Sequence, residues 1–469
     1  MARHNSAHPD FDSWQKEALA LDARNGAQRW KEREETNLYD YKVIRRRYDE
    51  LQEVRQQEDP QRLLFYLHEG IHGNMAGMGS PRLYQRSQTG TKTLVTNYIN
   101  EITGALDQLA QTSDDVISLP EKLHFFRRSA DCFGRSALML SGAGALGPFH
   151  VGVVKALHEQ NLLPRVISGA SAGSFVAAVT GCYRDKELSR LMDAQQISSA
   201  FSETNGADNS SVSADGLWDA ITHLIPDMTF EEALEETGRS INISVSPAVL
   251  NERARVLNHI TSPNACVREA VLASCAIPGI FPPVTLAAKT KSGERKPYIA
   301  TRKWIDGSVT DDQPSRRLMR LYGVNHFISS QTNPVVLWAL QDPNSDSALA
   351  QVSSLFQAGL REWSKLVYPL ALRAVRPVYP LNIMTRMWFG LLSQDYTADI
   401  TILPNYRWVD PTKLLANLNE AETRTLIHEG EQATWPKIEM IRNCTAVSRR
   451  IDAILAKLEA RVLSEQPAS

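Results

Sequence analysis

The chain has no dominant charge. Its 51 lysines and arginines stand against 53 aspartates and glutamates, a net charge of -2 over 469 residues. Without a global basic field, nucleic acid is excluded as the expected partner. Cysteine is equally scarce. The five residues Cys132, Cys182, Cys266, Cys275 and Cys444 are odd in number and show no paired metal spacing. That excludes a disulfide framework and fits reduced thiols in a cytoplasmic setting. Long apolar runs are missing too: none approaches the roughly 18 residues of a membrane span. Met1 to Gln15 is polar and carries no signal-peptide core. Internal repeats are absent. What remains is a length and a hydrophobic content of 43% suited to two to four packed domains.

The most informative local pattern is Gly169-Ala170-Ser171-Ala172-Gly173, set between the strand-like Val166-Ile167 and the helix-like Phe175 to Thr180. A serine flanked in this way reads as a nucleophile on a tight strand-to-helix turn. Gly169 and Gly173 keep side chains away from a sharp turn and a close neighbouring strand. Upstream, the apolar run Ala137 to Leu140 meets Ser141-Gly142-Ala143-Gly144-Ala145-Leu146-Gly147, and Pro148 opens a predicted helix through Leu157. Bare N–H groups at such a helix start stabilise either a phosphate or an oxyanion. The spacing of Gly142, Gly144 and Gly147 satisfies the dinucleotide fingerprint, but that reading wants an acid at the end of the next strand. Here that strand runs into Ser168-Gly169. An oxyanion hole formed by Gly142, Ala143, Gly144, Ala145 and Gly147 is the stronger reading, and no cofactor is expected.

A serine nucleophile needs a base. In Lys303-Trp304-Ile305-Asp306-Gly307-Ser308, a short apolar segment delivers Asp306 to a turn made by Gly307 and Ser308. One scheme makes Asp306 the orienting acid of a triad with His326, in the chain order Ser, Asp, His of an α/β-hydrolase. The other makes Asp306 itself the base of a Ser-Asp dyad. Residue types alone leave both open. Asp311 and Asp312 are read as solvated charges.

Four blocks now carry a resemblance: LSGAGALGPFHVGVVKAL from Leu140 to Leu157, GASAG from Gly169 to Gly173, AIPGIFPPV from Ala276 to Val284, and DGS from Asp306 to Ser308. In this order and spacing they resemble the patatin-like phospholipase family, roughly over Ser136 to Thr332. Upstream, WKEREETNLYDYKVIRRR and LYQRSQTGTKTLVTNYINEI are similar to the helical domain that precedes the patatin domain in triacylglycerol lipases. The resemblance implies a Ser171-Asp306 dyad, an oxyanion hole at Gly142 to Gly147, and a structural role for His326. It departs from the family pattern at Ala143, where a third consecutive glycine is usual, at Leu146, where a basic residue is usual, and at Ser308, where glycine or alanine is usual.

The implied fold is α/β, a patatin-like parallel-sheet three-layer domain flanked by mainly helical N-terminal and C-terminal regions. Its segments are 1-130, 131-335 and 336-469. The implied activity is hydrolysis of carboxylic esters of triacylglycerol or phospholipid through an acyl-enzyme, without a metal. The partner is an acyl lipid, met by peripheral contact with a membrane or lipid-droplet surface. No motif specifies an oligomeric state. Two alternatives stand beside this: a Ser-His-Asp esterase using His326, and a non-catalytic lipid-binding protein. Acyl transfer of the H-x-x-x-x-D kind is disfavoured, since no histidine is followed by aspartate at that spacing.

Other segments have plainer readings. His68-Glu69-Gly70-Ile71-His72 matches H-E-x-x-H, but Gly70 and Gly73 weaken the helix that would hold both imidazoles in register. Asn205 to Ala214 reads as a surface loop or lid. Trp363 to Leu392 mixes aromatic and basic residues, which suits either a lipid-water boundary or a helical interior. Ile438 to Leu463 is an amphipathic stretch expected to pack in a core.

Overall fold

In a computed structural model of the chain, the described residues are 8–71, 73–202, 211–249, 253–309, 312–333, 398–405 and 415–465. They form two compact units, one built from residues 1–136, 323–326 and 435–469, the other from 137–322 and 327–434. This division differs from the three sequence segments. The tail expected to be one helical region is shared between the units at Thr434 and Trp435. Trp363 to Leu392 and residues 205–210 lie outside the described residues.

The first unit is helical: α1 (Phe11–Arg24), α2 (Ala27–Glu32), α3 (Tyr41–Gln56), α4 (Pro60–Gly70), α5 (Pro81–Tyr84), α6 (Thr93–Gln111) and α7 (Leu119–Phe133). Aspartates start three of these helices by accepting first-turn N–H groups. Asp10 takes Ser13 N at 2.8 Å, Asp40 takes Val43 N at 3.2 Å and Asp59 takes Arg62 N at 3.1 Å. Helix α6 buries Leu94, Val95, Tyr98, Ile99, Ile102, Ala105, Leu106 and Leu109, the stripe expected of a helix with one face in a core.

In chain order the second unit contains β1 (Arg135–Leu140), α8 (Gly147–Glu159), β2 (Val166–Gly169), α9 (Ala172–Cys182), α10 (Asp185–Leu191), α11 (Ala194–Ser202) and α12 (Ala214–Leu224). It continues with α13 (Phe230–Thr237), β3 (Ser240–Pro247), β4 (Arg255–Leu257), α14 (Val267–Ser274), β5 (Ala287–Lys289), β6 (Arg295–Pro297) and β7 (Trp304–Asp306). Last come α15 (Ser315–Tyr322), β8 (Val324–Ser330), β9 (Ile400–Ile402) and α16 (Glu420–Thr434). Helix α17 (Ile438–Glu465) returns to the first unit, adding Val447, Ile451, Ile454, Leu455 and Leu458 to its core.

The main sheet has the order β4-β3-β2-β1-β8-β9, with β7 also paired to β3. Strands β1, β2 and β3 are parallel neighbours, and β8 is parallel to β9. All four residues of β2 and the last four of β1 are buried, so helices cover both faces there, as a parallel core requires. The sheet is mixed rather than wholly parallel, because β4 and β7 both run antiparallel to β3.

That exception positions the site. Ile243 pairs with both Gly169 and Leu257, and Val245 pairs with both Arg255 and Asp306. A strand has two edges, so β4 takes one while β2 and β7 share the other. Strand β7 therefore enters head-on beyond the carboxyl end of β2, and its last residue, Asp306, stops beside the turn that follows Gly169.

Candidate active site

Ser171 sits between β2 and α9 with φ 50° and ψ −128°, a conformation that a side chain disfavours. The surrounding contacts impose it. A Cβ on Gly169 would meet the Gly173 carbonyl, and one on Gly173 would meet the carbonyls of Leu140 and Ser141. Ser171 N donates to Ser274 Oγ at 3.0 Å, and that hydroxyl donates onward to Ser244 O at 2.7 Å. Ser174 Oγ holds the Ser171 carbonyl at 2.6 Å. Sequence reasoning did not find Ser274 or Ser244, because neither belongs to a motif and Ser274 is 103 residues from Ser171.

The Ser171 hydroxyl lies near enough to the Asp306 carboxylate to favour its ionised form. Asp306 is buried at 3% exposure, and burial pushes its pKa from 3.8 up to about 6. The Ser308 N–H at 2.8 Å, the Ser308 hydroxyl and the Ser171 hydroxyl each oppose that rise by favouring the ionised form. Ser308 thus contributes a donor that glycine or alanine would lack. Gly307 is dictated by packing, since a Cβ there would strike the Ser244 carbonyl.

The glycine-rich loop follows β1 and tightens into a 3-10 turn over Gly144–Leu146, with Gly144 at φ +53°. Of the five positions expected to donate, two are already engaged. Gly142 N donates to Asp312 Oδ1 at 2.7 Å, and Gly147 N donates to Gly144 O. The N–H groups of Gly142 and Gly147 thus have acceptors within the protein, while among the described residues no such acceptor meets those of Ala143 to Ala145. Asp312 is a correction: it is 1% exposed, not a solvated charge. Asp311 lies outside the described residues.

Behind the loop, buried His150 places Nε2 2.9 Å from Ser141 O and 3.0 Å from Thr332 Oγ1, with Nδ1 2.7 Å from Ser330 Oγ. Burial lowers its pKa to about 4, which keeps the ring neutral. His150 was invisible as a site residue because it occupies an ordinary helix position.

An apolar cavity of about 160 Å³ opens beside these groups. Ser171, Gly144 and Ala145 line it together with Val151, Phe175, Val179, Phe281, Leu224 and Leu415. Ala172, the first residue of α9, also lines it and carries one of the N–H groups left without an intrahelical acceptor at a helix start.

The remaining candidates lie elsewhere. His326 is the third residue of β8, and its Nδ1 is 3.0 Å from Ser136 Oγ at the amino-terminal end of β1, whereas Ser171 follows the carboxyl end of β2. The H-E-x-x-H segment does not form one helix, since α4 ends at Gly70 and Ile71 is extended. His68 meets Phe125 edge to face at 4.9 Å between ring centroids, and His72 lies outside the described residues.

A strained serine between glycines, a buried aspartate and an apolar cavity define a hydrolase-like α/β site. Residues 138–318 match the family model described as patatin-like phospholipase, and residues 2–131 match a domain of unknown function, DUF3336. The chain is 34% identical to triacylglycerol lipase 4 of Saccharomyces cerevisiae over 97% of its own length and 52% of that protein. It is 32% identical to triacylglycerol lipase ptl3 of Schizosaccharomyces pombe, over 96% of both chains. Against triacylglycerol lipase SDP1L of Arabidopsis thaliana it is 30% identical over 90% of this chain and 55% of that one. The chain thus spans about half the length of the first and third of these relatives and nearly all of the second. It belongs to the patatin-like phospholipase family.

Proposed function

We propose that this protein is a lipid acyl hydrolase that cleaves carboxylic esters of triacylglycerol or phospholipid through Ser171 and Asp306. The observation that carries the proposal is the strained Ser171 on the turn after β2, next to which β7 ends at Asp306, a buried carboxylate with a pKa of about 6. An aspartate at its ordinary value, about 4, is a poor base for an alcohol. One held near 6 is better matched to proton transfer around neutral pH.

Asp306 accepts the Ser171 proton as Oγ attacks the ester carbonyl, and the acyl chain lies in the apolar cavity. The tetrahedral oxyanion is met by N–H groups of the loop from Ala143 to Ala145 and of Ala172, with Gly142 and Gly147 holding the loop's shape. Collapse expels the alcohol, which takes the proton from Asp306. Water then gives its proton to Asp306 and attacks the acyl-enzyme, and Ser171 recovers its proton as the fatty acid leaves. The triacylglycerol reading is supported by the names of the relatives.

The protein would meet its substrate at a membrane or lipid-droplet surface from the cytoplasm. Ile280 supports this: it is 56% exposed, in the loop whose Ile277 and Phe281 line the cavity. Among the described residues, no helix is long and apolar enough to cross a membrane.

A fluorophosphonate probe should label the wild type but not Ser171→Ala. In a panel of lipid esters, Ser171→Ala and Asp306→Asn should both lose hydrolysis by at least about 1,000-fold, with an acid limb near pH 6 in the wild type. Undiminished hydrolysis by either folded variant would refute the dyad.

A further inference from the structure

The loop that faces the reacting carbonyl is fastened to the segment that carries the base. Gly142 N donates to Asp312 Oδ1 at 2.7 Å across 170 residues of sequence, and Asp312 Oδ2 accepts from Asn333 Nδ2 at 3.4 Å. Asp312 is 1% exposed, and Asn333 is buried at 7%. Packing repeats the connection, because a Cβ on Gly142 would lie 3.0 Å from Ser308 Cβ and 3.6 Å from Asp312 Oδ1. On its other side, the loop's first residue is tied down by Thr332 N, which donates to Ser141 Oγ at 2.9 Å, and by His150.

A buried carboxylate is costly, and a charge-assisted bond to an N–H is roughly twice as strong as a neutral one. Here a buried carboxylate oxygen accepts the Gly142 N–H, which is then unavailable to substrate, as the Gly147 N–H already is. We propose that Asp312 is a positioning residue for the hydrolytic reaction: it accepts the Gly142 N–H and thereby holds the N–H groups of Ala143 to Ala145 towards the tetrahedral oxygen. The proposal rests on the Ser171-Asp306 reading above.

What the role needs is an acceptor at this place, not a charge. A negative charge behind the loop would oppose an oxyanion in front of it, so removing the charge while keeping the acceptor leaves the function intact. Asp306 has the reverse requirement, since as a base it must lose and gain a proton.

The experiment compares Asp312→Ala and Asp312→Asn in the full chain on p-nitrophenyl butyrate, with rates expressed per Ser171 titrated by a fluorophosphonate. The alanine variant is expected to lose kcat by roughly 10- to 100-fold, because a small displacement of a catalytic group costs on this scale. KM should stay within about twofold, as an effect confined to the transition state requires. Affinity for a trifluoromethyl ketone, whose serine adduct presents the oxyanion, should fall in parallel with kcat/KM. The asparagine variant should recover kcat to within about threefold of wild type, since its Oδ1 can accept the same N–H. If the alanine variant does not fold, Asp312→Ser takes its place, with a hydroxyl too short to reach Gly142.

Three results overturn the proposal. Titrated sites of Asp312→Ala or Asp312→Ser that turn over at the wild-type rate would leave Asp312 only a role in stability. Ketone affinity that stays constant while kcat falls would separate Asp312 from the oxyanion. An Asp312→Asn variant as inactive as Asp312→Ala would mean that the charge is needed. Failure of the underlying reading looks different: there, Asp306→Asn or Ser171→Ala keeps activity whatever happens at residue 312.

Discussion

At the residue scale, Ser171 and Asp306 each occupy a state that folding alone would avoid. A backbone like that of Ser171 costs on the order of 1–3 kcal/mol and is sustained by the contacts of Gly169 and Gly173 with the carbonyls around them. Asp306 pays in ionisation. Its folded pKa of about 6 lies above the ordinary 3.8, so the folded state holds the proton more tightly, and the ionised carboxylate destabilises the fold above pH 6. The full cost at neutral pH is on the order of 3 kcal/mol and disappears below about pH 4. Asp306→Asn should therefore raise Tm at pH 7 to 8 while abolishing activity, with the gain shrinking to nothing as the pH approaches 4. A thermal melt series across that range checks this, and an equal or lower Tm at pH 8 would contradict it. His150 acts in the opposite direction. Its pKa is lowered to about 4, so its contribution is complete above about 6.5 and fades as the pH falls through 4.

At the scale of elements, helices α8 and α16 meet with almost no space between their backbones. A Cβ on Gly152 would overlap the Ile427 carbonyl, and one on Gly430 would overlap the Phe149 carbonyl. Helix α8 begins at the glycine-rich loop, and α16 contributes Thr423 to the cavity wall, so this crossing shapes the site as well as the core. Gly152→Ala should destabilise the protein by at least about 2 kcal/mol through forced separation of the helices, measurable as a lower denaturation midpoint. A neutral effect would mean that the helices can shift apart freely. The legible and illegible parts of the site divide at this scale. Ser171, Gly169, Gly173, Asp306 and Gly307 were readable because their chemistry lies within short motifs whose sterics the neighbouring residues dictate. Asp312, Ser274 and His150 were not, because their partners are set by strand pairing and helix packing over long sequence separations. A two-residue pattern such as Asp311-Asp312 carries no sign of a buried N–H at Gly142. The mixed sheet was hidden for the same reason: Trp304 to Asp306 is a three-residue strand whose direction depends on β3.

For the whole molecule, the order of the chain and the order of the structure disagree. The first unit draws its core from α3, α4, α6 and α7 and also from α17, whose Ile451 is fully buried. Ile451→Asp should place an uncompensated charge in that core and loosen helices more than 300 residues away in sequence. Hydrogen exchange in α6 and α7 should rise by at least about tenfold, and protection equal to wild type would show that these helices do not depend on α17.

The interleaving also sets a timetable for synthesis. Helices α1 to α7 leave the ribosome before the second unit, yet the apolar surface that α17 covers stays open while that unit is being made. At about 5–20 residues per second, that wait lasts on the order of tens of seconds. A nascent chain with such a surface is a natural client for chaperones that shield apolar helices, and the unit that begins first is the last to be finished.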